Sequence, residues 1–91
     1  MLWMNIWTWA PEKRDEVTKR AEALGTAMPE GMKLIGMWVD LHGCRCFELV
    51  DVAAVDPKLI LESVWPWSDL CKVECAPVME GEEIMKLLPK V

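Results

Sequence analysis

The sequence predicts one α+β domain, a four-stranded antiparallel sheet of order 4-1-3-2 with two helices on one face and a short C-terminal helix beyond it. Three observations carry this. The runs Met32 to Asp40 and Cys44 to Asp51 flank a His42-Gly43 pair, the pattern of a β-hairpin whose glycine accepts positive φ. Leu2 to Trp9 is a strand-length apolar run closed by Pro11, and Asp56-Pro57 is a helix start ahead of a last alternating stretch. Strand, helix, strand, strand, helix, strand, joined by right-handed crossovers, gives the ferredoxin-like βαββαβ arrangement.

In the first strand Leu2, Met4 and Ile6 share one face, while Trp3, Asn5, Trp7 and Trp9 share the other. Both faces are largely apolar, so the strand belongs in the centre of the sheet. Pro11 suits a first helical turn, Glu12, Asp15 and Glu16 place negative charge there, and Gly25 is positioned to end the helix. Val17, Ala21 and Leu24 make its narrow apolar stripe.

With His42-Gly43 at the two central turn positions, Leu41 pairs with Cys44, Val39 with Cys46, Met37 with Glu48 and Ile35 with Val50. Asp40 then opposes Arg45, and Trp38 opposes Phe47, on the other face. The second helix starts at Asp56 and ends near Pro66, with Leu59, Ile60, Leu61, Val64 and Trp65 on its apolar side. Leu70 to Val78 alternates as an edge strand does, and tolerates Pro77 for that reason. Glu80 to Leu88 closes the chain as a short helix with Ile84, Leu87 and Leu88 on one side. Helices on one sheet face leave the other bare, and its apolar residues call for a second copy.

Composition narrows the classes of partner. Ninety-one residues make one domain, residues 1–91, near the lower end of sizes that bury an adequate core alone. Six Trp among 53% hydrophobic residues favour an oligomer, because such rings are hard to cover in a small monomer. A net charge of -5 with dispersed Lys and Arg excludes the clustered basic footprint of nucleic-acid binding and disfavours an anionic membrane surface. The run Met1 to Ala10 lacks a basic leader and reads as a strand, and charges or glycines interrupt every apolar run before it could span a bilayer. A cytoplasmic protein with reduced thiols is the expectation.

Met1-Leu2-Trp3-Met4 with Ile6-Trp7-Thr8, Leu34-Ile35-Gly36 with Trp38 and Asp40, Arg45 to Val50, and Trp67-Ser68-Asp69-Leu70 with Pro77-Val78 resemble a family of short uncharacterised proteins. That family lies in the dimeric α/β-barrel superfamily. The resemblance implies a homodimer whose two sheets form a barrel. It also implies a cavity beside the sheet, which superfamily members use as cofactor-free monooxygenases, haem-degrading enzymes, lactone isomerases and ligand-responsive domains. Fold alone does not choose among these.

Several residues could carry chemistry. Asn5 is a polar residue in the middle of an apolar strand, and a buried amide either joins a network or lines a cavity. Glu48 lies beside it on the neighbouring strand, a mid-strand carboxylate of the kind that desolvation turns into a proton-transfer group. A paired structural acid is its plainer reading. His42 is the only histidine and so a natural acid/base candidate, although an exposed turn residue is its plainer reading. Trp7, Trp38 and Trp67 could wall a pocket for a flat molecule, with ordinary packing as the alternative.

Cys44 and Cys46 lie on one strand and Cys71 and Cys75 on another, with the first strand between them, which keeps four thiolates from one metal; no metal or cofactor is expected. The leading expectation is therefore a homodimer that binds a small apolar or aromatic molecule, with Asn5 or Glu48 as polar anchor. A monooxygenase- or isomerase-like enzyme using Glu48 or His42, and a structural or regulatory dimer without a cavity, stand as alternatives.

Overall fold

The computed structural model describes residues 1–25 and 28–89. Its elements are β1 (Leu2–Thr8), α1 (Arg14–Leu24), β2 (Met32–Val39), β3 (Arg45–Val52), α2 (Pro57–Val64), β4 (Lys72–Val78) and α3 (Gly81–Leu87). Single 3-10 turns, Pro11–Lys13 and Trp65–Trp67, precede α1 and follow α2. All neighbouring strands are antiparallel and the sheet order is β2-β3-β1-β4, so the predicted topology is present.

The hairpin keeps its expected register from Val39 opposite Cys46 to Met37 opposite Glu48. Beyond that point it slips. Gly36 faces Leu49 and Leu34 faces Val50, so Ile35 is the extra residue of a bulge and does not pair with Val50 as expected. The slip keeps apolar Leu34 on the face of buried Val50 and leaves Gly36 on the opposite face, where the Trp38 indole lies over it; a Cβ on Gly36 would come within 2.6 Å of that ring.

The turn also differs from a two-residue hairpin turn. Gly43 N–H donates to Asp40 O at 2.8 Å and Asp40 N–H donates to Arg45 O at 2.8 Å, so four residues form the loop. Only Gly43 among them has positive φ, at 79°, whereas a type I′ turn would demand it of His42 as well. Asp40 compensates by accepting from the His42 backbone N–H at 2.8 Å and from the Arg45 guanidinium at 2.9 Å.

The second helix begins as its sequence dictates. Asp56 Oδ1 accepts from Lys58 N–H at 3.0 Å and Pro57 occupies the first turn. On α1 the expected stripe is shorter than its spacing suggested: Val17 is buried, but Ala21 is exposed and Leu24 remains 52% exposed. The N-terminal half of α1 therefore supplies its core contact.

Both crossover helices belong to the sheet face carrying Trp3, Asn5 and Trp7. Among the described residues Asn5, Trp7, Val17, Val50, Val52 and Leu70 are buried, and of these Val50 alone is fully inaccessible. The opposite face carries Leu2, Met4, Ile6, Phe47, Leu49 and Val78, all only partly covered, with Trp38 57% exposed. Ile84 and Leu87 on α3, and Leu88 just after it, are exposed.

Candidate functional site

A cavity of about 80 Å³ opens between α2 and the sheet. Strand alternation builds its floor: Trp3 and Asn5 from β1, Val50 from β3 and Cys75 from β4 point to the same side because Trp3 pairs with Val50, and Asn5 with Cys75. Leu59 and Val64 of α2 supply the roof. A water molecule needs on the order of 10–15 Å³, so the space takes several waters or a small organic group.

Its polar equipment is sparse. Asn5 is 7% exposed, and its amide makes no side-chain hydrogen bond to any described residue. Trp3 Nε1 is buried and, among the described residues, has no acceptor. The Ser63 hydroxyl donates to Ile60 O at 3.0 Å, and Asp56 is occupied in capping α2. Among the described residues no Lys, Arg or His lines the space.

The sequence candidates fall into separate places. Asn5 lines the cavity. Glu48 sits opposite Asn5 on β3, but its carboxylate accepts from Trp7 Nε1 at 2.5 Å, and it does not line the space. Trp67 packs against Trp7 with ring centroids 6.2 Å apart, and the Arg20 guanidinium lies 5.9 Å from the Trp67 ring. Arg20 in turn holds Asp69 through two contacts of 2.6 and 3.0 Å, which hold the Asp69 carboxyl below the usual range. That stack fastens the segment after α2 to β1 and α1. Trp38 lies on the open sheet face.

His42 is 94% exposed at the hairpin tip, its Nδ1 3.0 Å from Asp40. Four residues lie between Gly43 and Glu48, five steps of extended chain, so the imidazole is on the order of 15 Å from the Asn5 row. Of the acid/base candidates, Glu48 is the one beside the cavity-lining amide. Trp3 and Ser63 also line the space and are absent from the sequence candidates, and Cys75, weighed there only as a metal ligand, lines it too. Trp3 could have been found, since it is two residues from Asn5 on the same face of one strand.

The cysteines flank β1 on both sides, and among the described residues no group of three metal-ligating side chains comes together. Burial, and then the neighbouring Glu48 charge, pushes the Cys46 thiol up to about 11; burial raises Cys71 and Cys75 too. These thiols should alkylate slowly at neutral pH.

At the turn the His42 backbone N–H, then the Arg45 guanidinium, holds the Asp40 carboxyl at about 2. The two effects bound stability from opposite sides. A depressed carboxyl stabilises the fold above its unfolded value near 4 and loses that contribution as pH falls through about 2. A raised thiol acts at the other end: the unfolded chain ionises from about pH 8.5 while the folded chain resists up to about 11, so stability declines across that window. Urea unfolding across pH should show both flanks, and Asp40→Asn should flatten only the acid one.

Fold and site together define a small ferredoxin-like α+β domain with a single-helix roof over a sparsely polar cavity. The chain belongs to the DUF3303 family, a domain of unknown function, whose model matches residues 1–91. Comparison with curated proteins and with solved structures finds no match. Among the described residues no helix is long and apolar enough to cross a membrane.

Proposed function

We propose that the protein is a homodimeric binding module that takes a small apolar or aromatic molecule between α2 and the sheet. The observation that carries the reading is the cavity itself, apolar in its walls and furnished with a buried amide, Asn5, that has no side-chain partner among the described residues. A domain serving only as a structural spacer has no need to keep an amide unpaired at the centre of its middle strand.

Two copies joined through the open sheet faces would form the barrel expected from the resemblance. The exposed area supports this pairing. The chain exposes 6992 Å², about 1,600 Å² more than a compact monomer of its mass presents. Its radius of gyration, 15.0 Å, exceeds the roughly 12 Å of a compact domain of this length. A stable protein interface removes about 800 Å² per partner, so the excess suffices for one.

The cavity is tested by filling it. Val64→Phe should abolish binding of cyclohexanone, followed by ligand-observed NMR, while the circular dichroism spectrum stays unchanged. Unaltered binding in that variant would place the ligand elsewhere. Native mass spectrometry of freshly purified protein should show a co-purifying small molecule in the wild type and none in Val64→Phe.

A further inference from the structure

We infer that the cavity selects a small neutral ring with a cis amide edge, a lactam or cyclic imide, held by two antiparallel hydrogen bonds to the Asn5 carboxamide. The inference rests on the binding reading above and adds the ligand's chemistry to it.

Asn5 is a polar group that a molecule in the cavity can reach. Its side chain lines the space, is 7% exposed and makes no hydrogen bond to any described residue. Among the described residues Trp3 Nε1 is the one side-chain nitrogen or oxygen that is both sealed from solvent and without a partner. The Asn5 carboxamide, equally without a partner there, is not sealed and so keeps a small surface on the cavity it lines. On that sheet face Trp3 and Trp7 flank it along β1, and Glu48 and Cys75 flank it across the strands, which leaves the direction of α2 open.

A carboxamide defines its own complement, because it sets a carbonyl acceptor beside an N–H donor. A ketone pairs with the donor alone and leaves the acceptor without a partner, at a desolvation cost comparable to the bond gained. A cis amide carries the same two groups in reverse order and satisfies both. Open-chain secondary amides are trans, so a ring supplies that edge. Charge disfavours the alternatives. Among the described residues no Lys, Arg or His lines the space to offset a buried anion, and Glu48 already places an acid opposite Asn5. The acid in the lining, Asp56, is exposed and holds the Lys58 N–H, which leaves a buried cation without a desolvated partner. Val50, Leu59 and Val64 suit methylene groups, and about 80 Å³ limits the buried part of the ligand to a single ring.

The test uses three probes of nearly one shape, δ-valerolactam, cyclohexanone and methylenecyclohexane, which offer Asn5 two, one and no hydrogen bonds. Each is titrated against the full chain and against Asn5→Leu by ligand-observed NMR. The variant keeps the heavy-atom count of the side chain and removes both polar atoms. Each probe leaves the same water for both proteins, so the ratio of its two affinities isolates the contact to Asn5. Asn5→Leu should weaken δ-valerolactam about thirtyfold and cyclohexanone about fivefold, and leave methylenecyclohexane unchanged. That unchanged affinity also shows that the variant is folded.

Equal losses for δ-valerolactam and cyclohexanone would overturn the inference, since the lactam N–H would then have no partner on Asn5. An undiminished affinity for δ-valerolactam would overturn it too, and leave an apolar cavity with water serving the amide. Failure of all three probes to bind wild-type protein would overturn the binding reading itself. A second readout needs no variant. In wild-type protein δ-valerolactam should shift the side-chain amide NMR signals of Asn5 and slow their hydrogen exchange, and methylenecyclohexane should not slow it. Asn5 amide signals that ignore bound δ-valerolactam would overturn the inference even where Asn5→Leu fails to fold.

Discussion

Trp7→Ala should cost about 3–5 kcal/mol of stability, a loss comparable to the whole folding free energy of many domains of this size. The side chain is buried at the centre of β1, stacks on Trp67 and donates to Glu48. Removing it opens the core between α1 and the sheet and strands a carboxylate at once. Trp7→Phe separates the two effects: it preserves most of the ring, leaves Glu48 without its N–H, and should cost about 1–3 kcal/mol. Glu48→Leu in the Trp7→Phe background should recover much of that loss, because an apolar pair needs no hydrogen bond. Urea unfolding at one fixed protein concentration measures all three variants. A Trp7→Phe chain as stable as the wild type would show that the contact to Glu48 contributes nothing.

Glu48 also shows where legibility in the sequence stops. Strand alternation placed it beside Asn5, and the structure pairs those two residues. Its hydrogen-bond partner is Trp7, whose direct cross-strand neighbour is Cys46, so the contact is a diagonal one made by a long side chain. Pairing register does not encode that reach. The topology was legible because each crossover has one allowed hand, and the α2 start because Asp56-Pro57 states it locally.

The bulge at Ile35 was not legible, since Leu34, Ile35 and Met37 are all apolar and alternation is silent about which is the extra residue. The loop at His42-Gly43 has the sequence of a two-residue turn, and its four-residue form rests on Asp40 bonding back to His42 and Arg45, which pairing patterns do not encode. For the site, Asn5 was visible as polarity out of place. The unpaired donor of Trp3 was hidden because an apolar-looking ring carries its single N–H unseen, and only the fold shows that it is buried without an acceptor among the described residues.

Ile6→Lys should convert a dimer of twice 10.4 kDa into a monomer, the largest change expected from any single substitution outside the core. Ile6 occupies the middle of the open sheet face, opposite Phe47 on β3 and Glu74 on β4. A two-fold interface repeats each substitution, so one lysine places two ammonium groups at the middle of the contact, where Glu74 beside each offsets only part of the desolvation. Association should weaken by on the order of a thousandfold or more, enough to abolish the dimer at micromolar protein in sedimentation velocity.

Val39→Lys is the matched control. It adds the same charge at an already exposed edge position on the helix side and should leave the dimer intact. Wild-type protein sedimenting as a monomer, or an Ile6→Lys chain that stays dimeric, would rule out the sheet-to-sheet contact. Because Ile6 and Asn5 are successive residues on opposite faces of β1, the two halves of the proposal come apart in this variant. An Ile6→Lys monomer that still binds cyclohexanone owns its cavity within one chain. One that folds but no longer binds it needs the partner to hold α2 and the sheet in place.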